Sequence, residues 1–382
     1  MNVRSISTLS RLMAILIGAA VLGGCATVPL LATPTAQPRE DATTSATAPL
    51  AGAVWIANEE GNSLTVVDAA TNAVVTTLTG IPAPHNVQVS PDGRTVWVVS
   101  GHEGLAIAVD AQELSLLGVA PVGSAPAHVI VSPDGATAYV TNSGDNTVTV
   151  LNATTFGVRA TIPVGAFPHG LRASPDGRWV GVANLRDNSV SLIDTATFSV
   201  TATIAVGAGP VQVAFAPDGA TLYVTLNGED AVAAVDLATQ TVTGKAAVGN
   251  GPMQVYVAPD GSLVLIANQG SKDAPGTTLS FVDAASLVEV GAIETGQGAH
   301  GVVVEPGGRY AYVTNLYGNT MTVIDLAARR VVTTTPTGAA PNGVSFSPLT
   351  PNDGAAAEIA LSLPTHEQAE TEDGVERHDE HH

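Results

Sequence analysis

The sequence predicts an all-β fold: a seven-bladed β-propeller with four-stranded blades, closed by pairing of its N- and C-terminal strands. Three observations predict it. The turn Ser-Pro-Asp-Gly starts at Ser90, Ser132 and Ser174, and related tetrapeptides start at Ala216, Ala258, Glu305 and Ser347. Successive starts lie 42, 42, 42, 42, 47 and 42 residues apart, the period of a repeat that stacks four strands per unit. Aromatic residues make up only 4% of the chain while valine, alanine, threonine and glycine dominate, a composition of thin strands and tight turns.

In chain order, Arg4 and Arg11 precede an uncharged apolar run from Leu12 to Gly24. That run is short for a membrane-spanning helix and suits the hydrophobic region of a secretory signal. It ends Leu22-Gly23-Gly24-Cys25, with the one cysteine of the chain. Small residues before a lone cysteine resemble the lipobox of bacterial lipoproteins. The resemblance implies a signal peptide over 1–24 and lipidation of Cys25, anchoring the chain to a membrane of the bacterial cell envelope and facing the periplasm. Ala26 follows where an aspartate would imply inner-membrane retention, which favours the outer membrane. Residues 25–50 are rich in alanine, threonine and proline and read as a tether, too poor in apolar surface to offset chain entropy.

The propeller is expected over 51–350. In its third unit the four strands read His128–Ser132, Ala138–Thr141, Thr147–Leu151 and Val158–Pro163, each a β-branched run bounded by turn residues. Pro-Asp-Gly closes the first hairpin, because proline presets φ and glycine supplies the left-handed position. Asp68, Asp194, Asp236, Asp283 and Asp325 end strands, where a carboxylate caps a turn by accepting a backbone N–H two residues on. The first unit opens at Val54 on a second-strand sequence and the last ends at Ser347 on a first-strand sequence. Residues 343–347 therefore complete the blade begun at 54, which removes open sheet edges.

The runs Tyr139-Val-Thr-Asn142 and Tyr312-Val-Thr-Asn315, with Tyr223-Val-Thr225, Ala267-Asn268, Thr147-Val-Thr-Val150 and Thr322-Val-Ile-Asp325, resemble the YVTN family of β-propeller repeats. The resemblance covers residues 52–348 and implies fold rather than a particular activity. The second unit departs from it, with Val99-Ser100-Gly101-His102 at the position expected for Val-Thr-Asn.

Strand direction alternates within a blade. Loops leading into the first strands share one face, here the upper face, with the loops joining second to third strands. The near-identical Pro-Asp-Gly turns lie on the opposite, lower face and read as structural, so function is expected above. Five residues before each turn stand His85, Ala127, His169, Val211, Met253, His300 and Asn342; four before stand Asn86, His128, Gly170, Gln212, Gln254, Gly301 and Gly343. His85, His128, His169 and His300 are the candidate metal ligands of this channel mouth. Imidazoles suit copper, zinc or nickel, with Met253 as a thioether partner for copper. Strict strand alternation places offsets five and four on opposite sides, so His128 is expected to face away from the others. Convergence of His300 with His85 and His169 requires a narrow mouth. Ring nitrogens that merely bond loop carbonyls are the alternative. Glu59, Glu60, His102 and Glu103 lie in neighbouring upper loops, and the sixth unit carries an insertion around Gly270–Gly276 in another.

Residues 351–382 form an acidic, histidine-containing tail in which 356–363 can add a short strand or helical turn. His378, His381 and His382 are a second candidate metal site, since histidine-bearing tracts bind metals. The formal charge of −20 excludes nucleic acid, whose phosphates need basic patches. No nucleophile motif, phosphate loop or helix-borne metal motif is present. The expected function is an envelope binding scaffold that takes a protein or small ligand on its upper face. The alternatives are a metal-handling or redox-associated protein, and a propeller enzyme such as a lactone hydrolase.

Overall fold

The computed structural model describes residues 50–364. Among them stand seven antiparallel four-stranded sheets, and a single three-residue 3₁₀ turn at Asn227–Glu229 is the helical content. Six blades are contiguous in sequence, with innermost strands at Pro84–Val89, Pro126–Val131, Pro168–Ala173, Pro210–Phe215, Pro252–Val257 and Ala299–Val304. These belong to blades 2 to 7. Blade 1 takes its innermost strand, Pro341–Ser347, from the far end of the chain, and it pairs with Ala53–Asn58 through Ser347 opposite Ala53 and Val344 opposite Ile56. The expected closure is thus present.

Blade 1 also gains a fifth strand. Glu358–Ala360 runs parallel to the outer strand Val74–Thr79 and covers its edge. The apolar alternation of Ile359, Leu361 and Leu363 explains why this segment is a strand. Those three side chains lie against the cluster around Trp55, Leu64 and Leu78, and the residues between them face solvent.

The core lies between blades rather than at one centre, as the broad sheet faces stack on their neighbours. Trp55, Leu64 and Leu78 of blade 1 pack with Val87, Val98 and Ile107 of blade 2, and comparable clusters recur around the ring. The lower turns are held by side chains. Ser90 Oγ donates to Asp92 Oδ1 (2.6 Å) and accepts the Thr95 N–H, while the Arg94 N–H donates to Asp92. In the seventh blade Glu305 alone does both tasks: its carboxylate accepts the N–H groups of Gly307, Arg309 and Tyr310. The strand-ending aspartates cap turns as expected, mostly one residue further on, with Asp68, Asp236, Asp283 and Asp325 accepting N–H groups three residues ahead.

The Thr-Asn end of the second strand has a defined task. Asn142 Nδ2 donates to Thr147 Oγ1 and Thr149 Oγ1, and its Oδ1 accepts the Gly123 N–H. Thr141 Oγ1 accepts the His128 N–H and donates to the His169 carbonyl (2.7 Å), which stitches blade 3 to blade 4. Thr225 and Thr314 make the same bridge to Met253 and Asn342. In blade 2 the strand is Thr95–Ser100, so Trp97-Val98-Val99-Ser100 stands at the Tyr-Val-Thr-Asn position, one residue earlier than expected. Val99 has no hydroxyl, and blade 2 lacks the threonine bridge.

Candidate metal centre at the upper channel mouth

Every innermost strand starts irregularly, and this places the site. In blade 4 Pro168 pairs with Asn184 while Leu171 pairs with Val182, so one residue is extra on the inner strand. The same shift occurs in the other six blades. A bulge of this kind re-aims the side chains beside it. The residue before each of these strands has positive φ: Ala83, Ala125, Phe167, Gly209, Gly251, Gly298 and Ala340. In five blades an Asn or Asp of the preceding blade's upper hairpin holds that position, as Asn62 Oδ1 does for the Ala83 N–H and Asn146 Oδ1 for that of Phe167.

The bulge overturns one expectation. His128, predicted to face away, joins His85 and His169, and one ligand nitrogen or equivalent from each of the three lies within 4.8 Å of the others. Ring centroids are 5.8 Å apart for His85–His128, 5.5 Å for His85–His169 and 4.8 Å for His128–His169. Strict alternation fails because the extra residue adds half a pleat between offsets five and four.

A hydrogen bond sets the His169 tautomer, while His85 Nδ1 lies 3.2 Å from both the Glu59 Oε1 acceptor and the Asn342 Nδ2 donor. His169 Nδ1 donates to the Val211 carbonyl at 3.2 Å, which leaves a lone pair on Nε2. His85 Nδ1 faces Glu59 Oε1 at 3.2 Å, and Glu59 Oε2 accepts from Asn342 Nδ2 at 2.7 Å. With the His85 proton on Nδ1 toward the carboxylate, its Nε2 also carries a lone pair. The two Nε2 atoms stand 3.4 Å apart. Two facing lone pairs repel unless a positive particle, a proton or a metal ion, lies between them. Two metal–nitrogen bonds of about 2.0–2.1 Å at a tetrahedral angle separate their nitrogens by about 3.3–3.4 Å. The His85–His169 edge therefore has the spacing of two zinc-type ligands. His128 Nε2 is buried without a hydrogen-bond partner, while Gln212 Nε2 lies 3.3 Å from its Nδ1.

Burial governs the charge of these rings. His128 and His169 expose 1% and 9% of their surface. Burial, reinforced by the neighbouring imidazoles, pushes the His169 pKa down to about 3 and that of His128 well below the usual histidine value. Both are neutral at physiological pH, the state that binds metals. Burial raises the Glu59 pKa, but its hydrogen bond and attraction to His85, with the Asn342 bond, outweigh this and hold it at about 2. The carboxylate stays ionised beside His85, the support that orients a metal-binding histidine.

The remaining candidates fall elsewhere. His300 is outside the cluster: its Nδ1 meets Gln269 Oε1 at 2.5 Å, and burial takes its pKa down to about 3. Met253 Sδ accepts from Asn227 Nδ2 at 3.4 Å. Glu59, Glu60, His102 and Lys272 line a basin of about 700 Å³ on the same face, with Tyr317 of blade 7. Lys272 belongs to the blade 6 insertion, which extends that hairpin as Leu263–Gly270 and Pro275–Asp283. Cys25, His378, His381 and His382 lie outside the described residues. Sequence reasoning passed over Glu59 as a partner of His85 and Gln212 as a neighbour of His128. Glu59 carries no local signal, because 26 positions separate it from His85.

Residues 117–350, more than half of the chain, match the family model of the YNCE-like beta-propeller. No curated protein matches the chain at a significant level. Among solved structures, hydrazine synthase of Kuenenia stuttgartiensis is similar with a TM-score of 0.62 and 23% identity, over 68% of this chain and 88% of that one. A functionally unknown protein from Desulfotomaculum acetoxidans gives 0.69 and 15%, over 79% and 100%. The dihydro-heme d1 dehydrogenase NirN, in complex with DHE, gives 0.59 and 15%, over 78% and 75%. At these identities the likeness establishes the fold.

Proposed function

From the premise that the chain belongs to the YNCE-like β-propeller family, we propose that it is a metal-binding protein of the bacterial cell envelope. A copper, zinc or nickel ion is its ligand, held at the upper channel mouth by His85, His128 and His169. The observation that carries this reading is the pair of facing Nε2 atoms, 3.4 Å apart, with a third imidazole beside them. A fourth position is left for water or for a ligand entering from the pocket of about 230 Å³ lined by Glu59, His85, His102 and His169, the arrangement of an open metal site. Metal capture at His128 Nε2 requires the proton to sit on Nδ1, and turning the Gln212 oxygen to that N–H gives up the bond that Oε1 accepts from the Val213 N–H at 2.9 Å.

The same proposal places the protein at the outer membrane, periplasm-facing, through a lipidated Cys25 and the tether over 25–50. The tail histidines His378, His381 and His382 act as a second, weaker site that passes metal to the mouth. Cofactors such as that of NirN fit less well. Arg186 lies over the Phe167 ring at 4.1 Å, and Lys272 is the cation lining the basin. A second reading, recognition of a small molecule or envelope protein by the upper face, is favoured by the basin and the lengthened blade 6 hairpin. It is compatible with the first, because the basin opens beside Glu59.

The test is metal stoichiometry by elemental analysis and calorimetry, on chain with the tail histidines replaced. One equivalent of zinc or copper in that form, and none after His85→Ala, His128→Ala and His169→Ala together, is the expected result. Equal metal in both forms refutes the site.

A further inference from the structure

The lower mouth of the channel carries a feature that the near-identical turns around it conceal. Two residues before each turn, the inner strands contribute Gln88, Ile130, Arg172, Ala214, Tyr256, Val303 and Ser345, a ring of seven. Together with Phe346 and the turn prolines these residues line a cavity of about 430 Å³, within the range of small-molecule sites. Arg172 is the one charged member of this ring. Its guanidinium donates from Nη1 to its own Leu171 carbonyl at 3.2 Å. Among the described residues no carboxylate forms an ion pair with it. Most of its five N–H donors are therefore uncommitted.

Arg172 is half-buried, and its remaining donors open onto the cavity, where an anion can meet them. Burial lowers the Arg172 pKa, yet a guanidinium keeps its charge in proteins. Tyr256 lines the same cavity, whose other walls are mostly apolar, with Gln88, Ser174 and Ser345 as its further polar side chains. We propose that the lower channel mouth is a binding site for an amphipathic organic anion, a single carboxylate or sulfonate on an apolar body, held by Arg172. The guanidinium fork takes the two anionic oxygens, and Ile130, Val303, Val344 and Phe346 cover the apolar part. The chain carries a net charge of −20, so diffuse attraction does not account for anion binding here. The site lies on the face opposite the histidines and does not depend on the metal reading.

Calorimetry with octanoate, 1-octanol and inorganic sulfate on the full chain tests this, with displacement of the fluorescent sulfonate 1-anilinonaphthalene-8-sulfonate as a second readout. Octanoate should bind once per chain and displace the dye, and octanol and sulfate should each bind at least about tenfold more weakly. Arg172→Met should weaken octanoate by about tenfold or more, and Arg172→Lys by less, since it keeps the charge but loses the fork. Metal stoichiometry at the upper mouth should be the same in both variants. Wild-type affinity in a folded Arg172→Met chain overturns the proposal. So does octanol binding as tightly as octanoate, or the absence of octanoate binding at millimolar concentration. If Arg172→Met does not fold, Arg172→Lys decides: unchanged octanoate affinity and unchanged discrimination against sulfate overturn it.

Discussion

Asn142 shows what a single side chain does in this repeat. Three hydrogen bonds, to Thr147, Thr149 and Gly123, tie the end of one strand to the next and to the loop that follows. Asn142→Ala leaves the buried Thr149 hydroxyl and the half-buried Thr147 hydroxyl short of a partner and should cost about 2–3 kcal/mol of unfolding free energy, read by urea titration. The buried histidines act on stability through protons. His169 and His300 have folded-state pKa values near 3, below the unfolded value near 6.5. Between those values the unfolded chain binds more protons than the folded one. Their contribution is present above about pH 6.5 and is lost as the pH falls toward about 3. Glu59, held at about 2, acts in the same direction at the acid end of that window. His169→Gln and His300→Gln should each flatten the fall in melting temperature between pH 6.5 and 4. An unchanged slope in either variant would show that its ring is not neutral in the fold. Strand alternation placed His128 away from its partners, and no single position in the sequence shows a bulge. The seven-fold recurrence of the irregular start emerges only from pairing registers.

At the scale of elements, the lower turns show how one carboxylate replaces two side chains. Glu305 accepts three backbone N–H groups, whereas Ser90 and Asp92 divide the equivalent work. Glu305→Ala should therefore destabilise by about 2 kcal/mol or more, and Glu305→Gln, which keeps one acceptor oxygen, by less. The strand Glu358–Ala360 is a second element with a definite role. It bonds along Val74–Thr79, and Thr76 Oγ1 donates to the Ala356 carbonyl at 2.7 Å. Truncation after Asp353 should leave the propeller folded, lower its stability by about 1–3 kcal/mol, and increase self-association through the uncovered edge. Thermal melts and light scattering on the truncated chain check both parts. Residues 356–363 read as a short strand or a helical turn, and the parallel pairing with an outer edge was not readable, because neither edge nor direction is encoded locally.

At the scale of the molecule, closure by residues 341–347 makes the ring of blades one cooperative body, and the histidine cluster sits where three consecutive blades meet. Metal held there links blades 2, 3 and 4, so it must stabilise the fold by mass action. Zinc at a hundred times its dissociation constant should raise the unfolding free energy by about 2.7 kcal/mol in wild type, and leave the triple alanine variant unchanged. Differential scanning calorimetry reads both. The blade count, the closure and the sidedness of the loops followed from periodicity, since a four-stranded repeat of constant length can close in few ways. The sequence by itself determined the repeat, its turns and the face on which histidines gather. Tertiary structure decided which of them meet: a bulge in each inner strand turned His128 toward His85 and His169, while His300 paired with Gln269 instead. It also decided that Arg172, an isolated cation in one strand, faces a cavity that six other blades complete. Periodic pattern fixes which strands pair and which faces are buried. Convergence on the axis depends on the small irregularities at which each strand begins, and those arise from contacts between blades.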